Sequence, residues 1–289
     1  MPLAVLLAAG CSQRVPYDID PVVMPPKVQL AAAPATQPCL RPQLAVMPPP
    51  LPPRTPQEAP AAPAVGEVAL GKSVRGEPIT LHTFGRGEGG TLIFGGIHGN
   101  EAASIRLAEQ LVEYLKDKPD ACGGPVAVIT CANPDGQAAQ RRQNAHGVDL
   151  NRNFPASNWA KSAATAAYYG GERAGCEPET AAIIRAVELT RPARIIAIHS
   201  IDRGRQCNNY DGPGEAIARI MNASNGYAVK ASIGYPTPGS FGTWAGVDRQ
   251  IATLTLELPH ESGDEACWKA NAQGLLKIVA MPRDDATGR

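Results

Sequence analysis

What this sequence lacks is a surplus of charge. Lysine and arginine total 27, aspartate and glutamate total 27, and the formal net charge is zero. Bulk electrostatics therefore recruit no partner: there is no basic field for nucleic acid and no acidic tail, and the balance favours a small or zwitterionic substrate. Histidine is scarce as well, at five residues, so chemistry that needs imidazole has few places to reside. No pair among the seven cysteines has zinc-finger spacing, which argues against a cysteine-rich structural metal site. The apolar run that opens the chain is too short to span a bilayer. Against these absences stands an apolar fraction of 44% in 289 residues, enough core for one large domain or two small ones.

The opening run, Met1 to Cys11, ends in small residues and reads as an export signal. Its Leu6-Leu7-Ala8-Ala9-Gly10-Cys11 ending resembles the lipobox of bacterial lipoproteins, although no basic residue precedes it. The resemblance implies a lipidated Cys11, membrane attachment and a periplasmic location. Residues 12–65 hold more than half of the prolines, with no helical or strand period, and read as a disordered, extended linker. In an oxidising compartment the other six cysteines, Cys39, Cys122, Cys131, Cys176, Cys207 and Cys267, are free to form disulfides whose pairing sequence does not select.

From Gly66 to about residue 285 the pattern is that of a folded domain. Glu67–Leu70 and Ile79–Phe84 alternate as two short strands joined by a turn at Arg75-Gly76. Buried-type strands are predicted at Thr91–Phe94, Val126–Thr130, Arg194–Ile198 and Ile251–Glu257. Helical stripes are predicted over Ala102–Leu115, Glu179–Leu189, Glu215–Asn222 and Glu265–Val279. The alternation gives the fold class: α/β, a mixed, mostly parallel twisted sheet with helices on both faces. Ligands in such sheets gather at the carboxyl ends of strands.

Three chemistry-bearing side chains fall at such ends. Gly95-Gly96-Ile97-His98-Gly99-Asn100-Glu101 closes a strand and opens a helix, with Glu101 expected in the first helical turn, where its charge suits the dipole. His98 and Glu101 make two-thirds of a catalytic metal site. His199, delivered by its own buried strand, is the best third ligand. Of the other histidines only His260, just past a strand end, is placed to approach the site; His82 lies within a strand and His146 in a polar loop. Glu257, at the end of Thr253-Leu254-Thr255-Leu256, is either a core-edge carboxylate bonded to backbone or a general base facing the metal site. Between them runs a polar loop, Asn133-Pro134-Asp135-Gly136 to Asn153-Phe154-Pro155. Its arginines and asparagines could clamp a carboxylate and stabilise an oxyanion.

Taken in order, the His-x-x-Glu, the Asn-Pro-Asp-Gly, the run Gly147-Val148-Asp149-Leu150-Asn151-Arg152-Asn153-Phe154-Pro155, the His199-Ser200 and the Glu257-Leu258-Pro259 resemble the zinc carboxypeptidases related to carboxypeptidase A. Cys176-Glu177-Pro178-Glu179-Thr180 and Tyr235-Pro236-Thr237-Pro238-Gly239-Ser240-Phe241-Gly242 extend the likeness toward the murein peptide amidases of that family. The resemblance implies one zinc ion bound by His98, Glu101 and His199, with Glu257 as base and then acid. It also implies Asn151 and Arg152 on the substrate's terminal carboxylate, Arg142 on the scissile carbonyl, and Tyr235 over the substrate. The implied substrate is a murein peptide cut at its γ-D-glutamyl-meso-diaminopimelate bond. Asp202, Arg203, Arg205 and Asp211 are candidates for the diaminopimelate head. Two rival readings remain open. One is an N-acyl amino acid deacylase of the aspartoacylase and succinylglutamate desuccinylase type, and the other is a murein-peptide binding domain without turnover. Oligomeric state carries no sequence signal.

Overall fold

The structure, a computed structural model, describes residues 65–161 and 165–282. The expected export signal, Cys11, Cys39 and nearly all of the proline-rich stretch lie outside the described residues.

The sheet has eight strands in the order β1-β2-β4-β3-β5-β8-β6-β7. β1 (Val65–Lys72) and β2 (Pro78–Phe84) form the expected antiparallel hairpin. The centre is parallel: β3 (Thr91–Phe94) pairs with β4 (Val126–Ile129) and with β5 (Arg194–Ile201), which pairs with β8 (Ala252–Pro259). β6 (Cys207–Asp211) returns antiparallel along β8 and carries β7 (Ala228–Lys230) at the edge. Neither β6 nor β7 is visible in the hydrophobic pattern, because Cys207-Asn208-Asn209-Tyr210-Asp211 has few strand-forming side chains; pairing with β8 makes it a strand.

Because side chains alternate along a strand, β5 feeds two cores. Ile196 and Ile198 join Leu107, Leu111, Met221, Leu254 and Ile278 under α1 (Ala102–Asp117), α4 (Glu215–Asn225) and α5 (Asp264–Val279). Ile195 and Ala197 join Phe94, Ile183, Phe241 and Trp244 on the face that α3 (Pro178–Thr190) covers. Full burial of each large apolar side chain stabilises the fold by roughly 1.5–3 kcal/mol, so both faces contribute. Helices thus cover both faces, as the alternation of elements predicted. Among the described residues, no helix is long and apolar enough to cross a membrane.

At four points the structure adds to or departs from the sequence pattern. Within the stretch expected as a polar loop, Asn133-Pro134-Asp135-Gly136 begins a short helix, α2 (Pro134–Ala138), capped by the Asn133 side chain on Gly136 N. β5 continues through Ile201 and β8 through Pro259, so His199 and Glu257 lie within their strands. Glu101 precedes α1 as its N-cap residue and makes no side-chain cap bond to the helix, instead of occupying the first turn. Finally, Cys122, Cys131, Cys176, Cys207 and Cys267 are all free thiols. Cys207 and Cys267 are buried in the sheet and in α5, and burial pushes the Cys131 thiol up to about 12, so these groups are packed rather than poised for exchange.

Candidate active site

The pairing of β5 with β8 sets His199 opposite Glu257. Since Ile196, Ile198, Leu254 and Leu256 point into one core, His199 and Glu257 both project from the other face, side by side. His98 arrives from the neighbouring strand: β3 ends at Phe94 and the chain turns through Gly96, whose φ of +64° suits glycine. At Gly99 a Cβ would meet the backbone of Gly136 at 1.9 Å, so only glycine lets this turn seat against α2.

The turn brings His98 and Glu101 together with His199. One ligand atom from each lies within 4.8 Å of the others, and all three residues are buried. His98 Nδ1 is 2.6 Å from one Glu101 oxygen and His199 Nδ1 is 3.2 Å from the other. Two imidazoles and a carboxylate are a donor set known for catalytic zinc, so the residues present fit such an ion. Burial alone would raise the Glu101 carboxyl, but His98 and then His199 outweigh it and hold it well below the usual carboxylate range.

Asp149 lies inside the Gly147–Pro155 run, where no local pattern marks its role. Fully buried, it accepts from His98 Nε2 at 3.1 Å and from Asn151 N at 3.0 Å through one oxygen. Its other oxygen accepts from Arg142 Nε and Nη2, both at 2.9 Å. A carboxylate only accepts, so Asp149 takes the Nε2 proton of His98, and Nδ1, which faces Glu101, is the nitrogen that a metal on the triad would take in place of a proton. Burial works against ionisation of Asp149, but His98 first and then Arg142 hold it ionised, well below the usual range.

Arg142 also stands 3.9 Å from Glu101, at the lip of the cluster. Arg141 instead donates to the Asn144 carbonyl, outside it. Asn151 accepts from Phe241 N at 2.8 Å through its amide oxygen, which leaves its amide nitrogen to meet a ligand. Gly239 closes against Arg152, where a Cβ would come 2.3 Å from the carbonyl oxygen, and Phe241 packs edge-on to Phe94 and Phe154. The Tyr235–Gly242 loop therefore supports the Asn151-Arg152 pair.

These groups share a cleft of about 290 Å³. Glu257 lies in it almost fully buried; burial, reinforced by Glu101 and opposed by His199 and Arg142, lifts its carboxyl to about 7. Tyr235 lines the rim, 42% exposed. Asp202, Arg205 and Asp211 also line the cleft. Arg203 does not, and it pairs at the surface with Glu261 at 3.7 Å. His260 does reach the cleft, its Nδ1 held by Ser200 Oγ at 2.7 Å, while His82 and His146 pair elsewhere with Glu67 and Glu177. Tyr168, also in the lining, carried no signal in an alanine-rich stretch.

The comparisons with known proteins agree with this geometry. The family described as zinc carboxypeptidase matches residues 61–271. Murein peptide amidase A of Escherichia coli (strain K12) is 32% identical over 189 residues, 62% of this chain and 74% of that protein. Its counterpart from Vibrio campbellii (strain ATCC BAA-1116) is 33% identical over 221 residues, 71% and 84% of the two chains. Among solved structures, murein-tripeptide amidase MpaA from Escherichia coli O157 is similar with a TM-score of 0.63 and 27% identity, covering 75% of this chain and 92% of the other. Bovine thrombin-activatable fibrinolysis inhibitor has the same fold, with a TM-score of 0.64 at 17% identity over 75% and 89% of the chains. The sheet, the buried His-Glu-His cluster and the family match converge on one conclusion: this chain belongs to the zinc carboxypeptidase family, whose members are hydrolases of peptide bonds.

Proposed function

We propose that the protein is a zinc-dependent exopeptidase that removes meso-diaminopimelate from a murein peptide by hydrolysing its γ-D-glutamyl amide. The observation that carries the reading is the arrangement in one cleft of a buried His98-Glu101-His199 set, the Glu257 carboxylate and the Asn151-Arg152 pair. His98, Glu101 and His199 would hold the zinc ion, which when bound would supply Lewis-acid chemistry at the scissile carbonyl and at the attacking water. Glu257 is placed to take a proton from the attacking water and to pass it to the leaving amine, a task suited to a carboxyl lifted toward neutrality. Arg142, locked by Asp149, offers its charge to the carbonyl oxygen as negative charge develops there. Asn151 and Arg152 grip the substrate's terminal carboxylate and so restrict cleavage to the last residue. Tyr235 covers the substrate from the rim.

The murein assignment draws on the similarity to the murein peptide amidases and on the far part of the cleft. Diaminopimelate carries a second zwitterionic head, and that part of the cleft offers both signs, Asp202 and Asp211 with Arg205. Asp211 is the most telling of these. Its carboxyl is raised by burial, and no side-chain bond to it exists among the described residues. Gly242 leaves it room, since a Cβ there would fall 2.2 Å from its oxygen. A cationic ammonium group from the substrate would satisfy it. We further propose that the protein is exported and held at the membrane through Cys11, with residues 12–65 as a tether; the lipobox-like opening and the proline content support this. Incubation with L-Ala-γ-D-Glu-meso-diaminopimelate is expected to release free diaminopimelate, with no turnover of acetylated or succinylated amino acids. Release only of ordinary C-terminal residues would remove the murein reading, and turnover of the acyl amino acids alone would favour a deacylase.

A further inference from the structure

Arg142 and Arg152 share the cleft, but they are held in unequal ways. Arg142 has a two-pronged bond to Asp149. For Arg152, the charged group assigned to the substrate carboxylate, no carboxylate lies within ion-pair distance among the described residues; its one side-chain bond is from Nη1 to the carbonyl of its neighbour Asn151, at 2.7 Å. Burial, with Arg142 adding repulsion and Asp149 opposing, lowers its pKa from the ordinary arginine value. Something else must hold this guanidinium in place.

Two tyrosines, Tyr235 and Tyr168, also neighbour it, and the Tyr168 ring is the one that the guanidinium stacks over. The guanidinium carbon of Arg152 lies 5.4 Å from the centroid of the Tyr168 ring, and that of Arg142 lies 5.3 Å from the same centroid. Both distances fall within cation–π range. The ring is itself anchored, because the strap that carries it is tied to the motif on three sides. Gln143 Nε2 donates to the Ala167 carbonyl at 2.9 Å, Asp149 N to the Tyr169 carbonyl at 2.8 Å, and Asn153 Nδ2 to the Gly170 carbonyl at 2.8 Å. Tyr168 stays 42% exposed in the cleft wall.

We propose that Tyr168 is a positioning residue, whose π face brings the two like-charged guanidinium groups to one wall of the cleft and orients Arg152 toward the substrate's terminal carboxylate. The inference rests on the carboxylate-clamp reading of Arg152 given above. It has an asymmetric consequence. Since Asp149 secures Arg142 independently, loss of the ring frees Arg152 far more than Arg142, and substrate binding suffers while the chemical step does not.

The test is steady-state kinetics of the zinc-loaded enzyme on the murein tripeptide, and on the same peptide with the carboxylate next to the scissile amide converted to a carboxamide. Tyr168→Leu is expected to raise KM for the acid by roughly 2- to 30-fold, the range spanned by exposed and desolvated cation–π contacts, with kcat within about twofold of wild type. Tyr168→Phe, which keeps the ring, is expected to match wild type, and Tyr168→Trp to restore what leucine loses. Titration of the tripeptide into Glu257→Gln protein with and without Tyr168→Leu reads the same weakening as a dissociation constant, without turnover. A phenylalanine variant as impaired as leucine, or a fall in kcat at unchanged KM, would overturn the proposal. Wild-type enzyme that prefers the acid, beside a leucine variant of unchanged KM, would overturn the Tyr168 assignment alone. Wild-type enzyme that cleaves acid and amide alike would overturn the clamp, and Tyr168 with it.

Discussion

Replacing Asp149 by asparagine keeps the shape of the side chain and removes its charge. Four donors converge on the native carboxylate: His98 Nε2, Asn151 N and two nitrogens of Arg142. An amide has one accepting oxygen and one donating nitrogen, so only one side of the cluster can be served. If the oxygen stays with His98 and Asn151, the amide nitrogen faces the Arg142 guanidinium, donor against donor. If it flips, His98 loses the partner that fixes its tautomer. Arg142 is about a quarter exposed and recovers water, so the stability cost falls below that of a fully buried broken pair; about 1.5–3 kcal/mol, the worth of a hydrogen bond to a charged group, is expected. A partner of this kind is worth about 10- to 100-fold in metal affinity or activity. Equilibrium denaturation gives the first quantity, and competition for zinc against a calibrated chelator, with kcat/KM on the tripeptide, gives the second. An Asp149→Asn protein that holds zinc within twofold of wild type and keeps full kcat/KM would refute the role assigned to this carboxylate.

Other outcomes follow from the same geometry. Glu257→Gln is expected to bind the tripeptide with nearly native affinity by calorimetry and to lose at least about 100-fold in kcat, consistent with general acid-base catalysis; an unchanged rate would take Glu257 out of the reaction. Asp211→Asn should raise KM for diaminopimelate-terminated peptide at least several-fold while leaving alanine-terminated peptide unaffected, so an equal effect on both, read from the two KM values, would count against an ammonium contact. Glu257 must be ionised to take a proton, so kcat/KM should climb as pH rises through its pKa. Burial sets that value at about 7 and a cation on the triad draws it down, which places the midpoint of the ascending limb in a pH-rate profile at or below about 7; a midpoint above 8 would contradict this.

Much of the site was legible because its parts are local or periodic. His98 and Glu101 are three residues apart at the end of a strand, and His199 and Glu257 follow apolar runs that read as buried strands. What the sequence did not contain was the register. The pairing His199↔Glu257 joins residues 58 positions apart and is decided by the packing of two whole strands. Asp149 illustrates the same limit. It sits inside the most distinctive run of the chain, yet its tie to His98 spans 51 residues, and nothing in the local pattern announces it. The missed strand β6 is held by pairing with β8 rather than by its own propensity; Asp211 at its end was legible as a candidate, but its surroundings are set by Gly242 and Gly246 of the distant helical segment Gly242–Val247. Tyr168 belongs to a stretch with no period at all, and only its contacts with Arg142 and Arg152 reveal it. A carboxylate at a strand-to-helix turn suits the first helical turn and its dipole; in the fold Glu101 is the N-cap residue and its carboxylate meets two imidazoles, one of them from a strand about a hundred residues away that the local pattern does not contain.

The dependence of the reaction on the His98-Glu101-His199 cluster is most directly measured as diaminopimelate release from the tripeptide before chelation, after complete metal removal, and after return of one equivalent of zinc per chain. Release should stop when the metal is stripped and recover in proportion to zinc added, in wild type but not in His199→Ala protein. Continued release from fully stripped protein, or recovery in the His199 variant equal to wild type, would contradict a metal held by these three residues.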